Sequence, residues 1–144
     1  MRAIVIDSAQ AVLLIQPHGY RDGNWTLVGG GVEHGETTEQ AMRRELAEEV
    51  GLVDLLELWQ TGEPHRFLFD ERKRRSHALD HEGQSATLFI ARVAAGASVR
   101  LQTEEVKRHC WVPMAQAAQH FQVAAQREWV QRALIDAAPK IGRG

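Results

Sequence analysis

With 144 residues, 44% of them apolar and 25% charged, the chain is long enough for one domain with its own core, and nothing in its composition suggests disorder. Its 17 lysines and arginines against 19 aspartates and glutamates leave a formal charge of −2, which excludes a general electrostatic attraction to nucleic acid or anionic membrane. A single cysteine, Cys110, excludes an internal disulfide framework, and no run of about 20 apolar residues could span a bilayer, so a cytoplasmic protein, monomer or homodimer, is expected.

Residues 3–7 and 11–15 are short apolar runs separated by Ser8, Ala9 and Gln10, the pattern of a hairpin of buried strands. Pro17, Gly19 and Gly23 mark a loop, and residues 25–28 return to strand before Gly29, Gly30 and Gly31. Three glycines in a row let backbone approach a ligand closely. Trp25, just ahead of them, is either a core aromatic or a surface on which a planar base can stack.

Thr37 and Gln40 have the spacing of a capping box, residues 38–50 contain no proline or glycine, and Gly51 can take the left-handed conformation that ends a helix. A helix over 38–50 is therefore predicted. Leu46 and Val50 give it an apolar stripe for docking on a core, while Glu45, Glu48 and Glu49, spaced i, i+3, i+4, gather on one side. Such carboxylates repel one another. A solvated acidic face would tolerate this, but the docked stripe and the glycine-rich turn with Glu36 ahead of the helix favour a site for a hard divalent cation with oxygen ligands.

Beyond the helix, residues 55–61, 66–70 and 84–93 read as strands, the last being rich in β-formers. Between the second and third lies a polar loop, 71–83, with Arg72, Lys73, Arg74, Arg75, His77 and His81. It is either a solvated hairpin tip or a cationic grip for substrate phosphates. A short strand is expected over 98–101, and Pro113 as a first helical residue would start a helix over 114–121. The last helix, about 124–138, shows one stripe of Trp129, Val130, Ala133, Leu134 and Ala137, and a frayed tail is expected over 139–144. Strands too close for βαβ crossovers, with a helix in mid-chain and another at the end, predict an α/β domain over residues 1–138 built as a mixed sheet flanked by helices.

The run from Gly30 to Leu52, with Glu36, Arg44, Glu45, Leu46, Glu48, Glu49 and Gly51 at fixed intervals, resembles the Nudix box of the Nudix hydrolases at every specified position. The resemblance implies the Nudix fold, an α/β/α sandwich. It further implies Mg²⁺ or Mn²⁺ held by Glu45, Glu48 and Glu49 with the carbonyl of Gly29, and hydrolysis of a diphosphate linkage in a nucleoside diphosphate joined to another group. By the same resemblance Glu45 also places or deprotonates the water, Arg44 orients a box glutamate, and Glu105, with Glu104 beside it as a substitute, supplies a further metal-binding or catalytic carboxylate. Residues 83–93 look like the branch of dinucleoside polyphosphate hydrolases and RNA 5′-pyrophosphohydrolases, so a nucleotide or an RNA 5′ end is the expected partner. Val28 stands where a proline is common, and Leu68, Phe69 and Asp70 stand where a proline or tyrosine would mark other subclasses. A non-catalytic module that binds a nucleotide or RNA is the alternative.

Overall fold

A computed structural model describes residues 1–21, 23–68 and 83–141. The predicted hairpin forms as β1 (Arg2–Asp7) and β2 (Ala11–Pro17). Its turn closes on Asp7, whose carboxylate accepts from the backbone N–H groups of Ala9 and Ala11 at 2.9 Å each. The chain then crosses from β2, where Thr26 bridges Ile15, to β1, where β3 (Val28–Gly29) pairs with Ala3 and Arg2. After helix α1 (Thr38–Val50) come β4 (Glu57–Leu68), β5 (Gly83–Val93) and β6 (Val106–Pro113). A 3₁₀ turn (Met114–His120) and helix α2 (Ala124–Ile141) complete the described chain.

The sheet has the order β4-β5-β1-β2-β6, with β3 beside β1. Only β1 and β5 run parallel among these pairs, so the sheet is mixed, as expected. Side chains of a strand alternate between faces, which explains why β1 and β2 are continuous apolar runs. Ile4, Ile6, Val12, Leu14, Leu88 and Ile90 point to the face covered by α2 and the 3₁₀ turn. Their neighbours Ala3, Val5, Leu13, Ile15, Phe89 and Ala91 point to the face covered by Met42, Leu46 and Val50 of α1. This is the α/β/α sandwich that the box resemblance implied. No described helix is long and apolar enough to cross a membrane.

Several boundaries differ from those expected, each for a physical reason. Residues 55–61 and 66–70 belong to one strand, β4, which continues through a register shift between Thr61 and His65. Gly62 and Pro64 signal a break in sequence, but β4 lies at the sheet edge, where a proline at a bulge removes no needed ladder bond. The expected strand 98–101 is absent. Its backbone instead serves α1: Arg100 N–H donates to the Val50 carbonyl at 2.9 Å and Gln102 N–H to that of Glu49 at 3.0 Å. Pro113 remains the last residue of β6, paired with Ala11, so the turn that follows starts at Met114 and is 3₁₀ in form.

Helix α2 does not fray at Pro139 but runs to Ile141, which is 3% exposed in the core. The missing N–H costs about 3 kcal/mol in a helix interior. Burial of Ile141, worth about 1.5–3 kcal/mol, offsets most of it. Lys140 adds to the balance, its Nζ standing 4.5 Å from the centroid of the Trp59 ring, a contact worth about 0.5–1 kcal/mol.

Candidate functional site

Helix α1 begins and ends as its sequence requires. Gln40 N–H donates to the Thr37 hydroxyl at 3.1 Å, Thr37 N–H donates to the Gln40 side chain at 2.8 Å, and Gly51 closes the helix at φ 69°. With Met42, Leu46 and Val50 fully buried against the sheet, the rotation of the helix is fixed, and with it the direction of each acidic side chain.

Arg44 is the organising cation. Its Nε lies 2.8 Å from Oε2 of Glu36 and its Nη2 3.0 Å from Oε1, a two-pronged pair; Nη2 also donates to the Gly31 carbonyl at 3.0 Å. Nη1 donates to Glu45 at 3.0 Å and to Glu48 at 3.2 Å. The bond from Arg44, and after it the Glu33 N–H, hold the Glu36 carboxyl below the usual carboxylate range. The expected surface pair with Glu48 exists, but the fork geometry with Glu36 is the stronger contact.

Glu45 and Glu49, one turn apart, face each other within hydrogen-bonding reach. Glu49 is only 7% exposed. Burial first, then the bond and charge of Glu45, push its carboxyl up to about 8, with Arg2 opposing and Glu105 adding to the rise. Glu105 thus comes close enough to feel the pair electrostatically. The approach is built by backbone: Gln102 N–H bonds the Glu49 carbonyl, the Glu105 N–H bonds the Gln102 carbonyl at 3.0 Å, and the Glu105 carbonyl accepts from His18 N–H at 3.1 Å. The ring of His18 fastens the same loop through Nε2, 2.6 Å from the Thr103 carbonyl.

Opposite the pair runs the glycine strand. A Cβ on Gly30 would lie 2.5 Å from Oε1 of Glu45, whereas one on Gly31 would meet nothing within 4 Å. So Gly30, not the run as a whole, is the position that needs to be bare. Met1 and Gly30 exchange backbone bonds of 3.0 and 3.1 Å. Bonded and non-bonded pairs alternate along an antiparallel ladder, so Gly29, opposite Arg2, turns its own carbonyl away from β1.

Glu48 stands apart from the Glu45–Glu49 pair: its side chain is 56% exposed and turned to Arg44. Trp25 packs at the edge of the α2-side core with the Arg108 guanidinium 5.7 Å from its ring centroid. Arg72, Lys73, Arg74 and Arg75 lie outside the described residues. Two features carried no signal in the sequence. Strand β6 has polar residues along much of its length and so lacks a clear alternation. Arg2, a lone basic residue, stands opposite Gly29 in the pairing of β1 with β3, and its charge reaches Glu49.

Among the described residues no three His, Cys, Asp or Glu side chains are grouped closely enough to hold a cation unaided. The donors nevertheless suit Mg²⁺ or Mn²⁺. They are carboxylates and carbonyls, which hard cations prefer, and Mg²⁺ keeps several waters and takes substrate phosphate beside one or two carboxylates. A carboxyl pushed up to about 8 by burial and then by its carboxylate neighbour also calls for positive charge at that point.

Residues 1–133 match the model of the NUDIX domain. Over 111 residues the chain is 36% identical to the nucleoside triphosphatase NudI of Escherichia fergusonii, covering 76% of each protein. Over 54 residues it is 46% identical to the oxidized purine nucleoside triphosphate hydrolase of Danio rerio; that match spans 37% of this chain and only 35% of the relative's length. The fold superimposes on the E. coli dihydroneopterin triphosphate pyrophosphohydrolase with a TM-score of 0.76 at 22% identity, covering 94% of both chains. The carboxylate-bearing helix, the bare glycine against it and a family match over most of the chain lead to one statement: this protein belongs to the NUDIX domain family.

Proposed function

We propose that the protein is a metal-dependent hydrolase that splits a diphosphate linkage in a nucleoside diphosphate joined to another group. The observation that carries the reading is the pairing of buried Glu49 with half-buried Glu45, which faces Gly30, with Arg44 already committed to Glu36. Glu45, Glu48, Glu49 and Glu105, with the carbonyl of Gly29, would hold Mg²⁺ or Mn²⁺. The ion, when bound, neutralises phosphate oxygens and eases deprotonation of water.

Glu45 takes the proton of the attacking water, in reach of Glu49, which shares it. The water oxygen bonds to one phosphorus as the bond from that phosphorus to the bridging oxygen breaks. The products are a nucleoside monophosphate and a phosphorylated remainder, which is pyrophosphate when the substrate is a triphosphate. Arg44 is a positioning residue: it fixes Glu45 and ties Glu36 to the glycine strand through the Gly31 carbonyl.

The names of the NudI and Danio rerio relatives favour nucleoside triphosphates as the first class to examine, and the likeness of residues 83–93 keeps dinucleoside polyphosphates and RNA 5′ ends beside them. The test is a screen of these substrates, with ADP-ribose and nucleotide sugars, in Mg²⁺ and in Mn²⁺, ranked by kcat/KM. A nucleoside monophosphate released from at least one class is expected. Binding without release of any phosphorylated product across the whole set would overturn the enzyme in favour of a nucleotide-binding module.

A further inference from the structure

Between Gln16 and Pro17 the pairing of β2 with β6 slips: Gln16 faces Arg108 and Pro17 faces Val106, which makes Lys107 an extra residue on β6. Such a bulge bends the strand that carries it. Pro17 has no N–H to hold the chain beyond the slip, so the first donor available on the β2 side is His18. The turn that follows fixes where His18 stands: Tyr20 N–H donates to the Pro17 carbonyl at 3.2 Å, and Gly19, the third residue, sits at φ 89°, where a side chain would be strained.

His18 directs two N–H groups at the segment that carries Glu105. Its backbone N–H donates to the Glu105 carbonyl at 3.1 Å, and its ring, through Nε2, donates to the Thr103 carbonyl at 2.6 Å. A carbonyl only accepts, so the contact requires a hydrogen on Nε2. The other side of the segment is held by α1 and by its own turn: Gln102 N–H bonds the Glu49 carbonyl at 3.0 Å, while the N–H groups of Glu105 and Val106 converge on the Gln102 carbonyl at 3.0 and 2.9 Å. Residues 102–105 are thus clamped between the end of the acidic helix and the connection from β2 to β3. His18, Thr103 and Glu105 are all exposed. Hydrogen bonds open to water contribute little to global stability, so the ring contact matters through where it keeps Glu105, whose charge reaches Glu49.

We propose that His18 is a positioning residue for the reaction: its ring latches the Thr103 carbonyl and thereby keeps the Glu105 carboxylate at the Glu45–Glu49 pair. This rests on the hydrolase reading above, in which Glu105 helps to hold the metal ion. The neutral ring with hydrogen on Nε2 and the imidazolium both donate to a carbonyl, so the latch stays closed while the ring titrates. A glutamine amide also donates an N–H at a comparable reach. It is the conservative replacement.

The experiment compares the full chain as wild type, His18→Ala, His18→Gln, Glu105→Gln and the double variant of His18→Ala with Glu105→Gln. It measures kcat and KM in Mg²⁺ on the preferred substrate, calorimetric affinity for Mn²⁺ alone, and amide hydrogen exchange of the metal-free protein. His18→Ala is expected to lower kcat about 10-fold with KM changed by less than about twofold, and to weaken Mn²⁺ binding about threefold or more. His18→Gln should recover most of both losses. In the Glu105→Gln background, His18→Ala should lower kcat by less than about twofold, because a latch acts only through the carboxylate it places. The amides of Glu105 and Val106 should exchange faster in His18→Ala while those of β1 are unchanged. Wild-type kcat and Mn²⁺ affinity in His18→Ala, or equal losses with and without the Glu105 carboxylate, would overturn the proposal and leave His18 as a turn residue of the surface. Wild-type kcat in Glu105→Gln would overturn it as well. Should His18→Ala fail to fold, His18→Phe, which keeps a ring without a donor, decides by the same readouts. A wild type that turns over no substrate would sink the hydrolase reading instead, and the Mn²⁺ affinities and exchange rates would then decide the latch by themselves.

Discussion

Arg44 grips Glu36 with both prongs of its guanidinium, at 2.8 and 3.0 Å, across the turn that joins the glycine strand to helix α1. The cation therefore belongs to the scaffold. It holds Glu36, Glu45, Glu48 and the Gly31 carbonyl in one frame, and an ammonium on a flexible stem cannot satisfy these acceptors in a plane.

Arg44→Lys is accordingly expected to fold and to lower kcat by about 10- to 100-fold, with a smaller change in KM, since a misplaced Glu45 affects the reacting geometry more than substrate affinity. Steady-state kinetics beside circular dichroism check this. A wild-type kcat in the lysine variant would show that charge alone is enough at this position.

Glu49 sets a pH dependence whose sign follows from its raised carboxyl. Folded, it titrates near 8, above its ordinary value of 4.5, so between these limits the native protein binds more protons than the unfolded chain. Without metal, stability should fall as pH rises from about 4.5 to about 8 and level off above, by an amount on the order of a few kcal/mol. Thermal unfolding in chelator should show that slope, Glu49→Gln should flatten it, and added Mg²⁺ should raise the melting temperature more at pH 8 than at pH 6. An identical slope in the glutamine variant would assign the dependence to other groups.

Gly30 and Gly31 make a matched pair for substitution. Alanine at Gly30 places its methyl 2.5 Å from the tip of Glu45, which can swing away, so stability should change by less than about 1 kcal/mol while kcat falls at least about 10-fold. Alanine at Gly31 meets nothing and should be close to wild type in both respects. Equal activities in the two variants would mean that Glu45 need not stand where the structure has it.

What the sequence disclosed and what it withheld divide along the range of the interactions involved. Helix α1 was legible to the residue because Thr37, Gln40 and Gly51 act within one turn of the helix ends. Strands β1 and β2 were legible because burial on both faces leaves an unbroken apolar run. Strand β6 was not, since Lys107, Arg108 and His109 on an edge show solvent more than alternation. The backbone that carries Glu105 was likewise hidden. It rests on bonds from Gln102 to the carbonyl of Glu49 and from His18 to that of Glu105, partners that sequence spacing does not pair.

Helix α1 also carries its charge at the wrong end. A helix C-terminus bears a partial negative charge and favours lysine or arginine, each carboxylate placed there costing about 0.3–1 kcal/mol. The last turn of α1 contains Glu48 and Glu49 and no basic residue. Such a turn would be the first to unwind in isolation, yet its carbonyls are occupied: Leu46 by Leu52 N–H, Ala47 by Gly51, Glu49 by Gln102 and Val50 by Arg100. The helix dipole and the carboxylates thus add up to a concentrated negative field at one end of a rod that is pinned on all sides, a field that attracts cations from a distance and leaves the rod little freedom to relax when none is there.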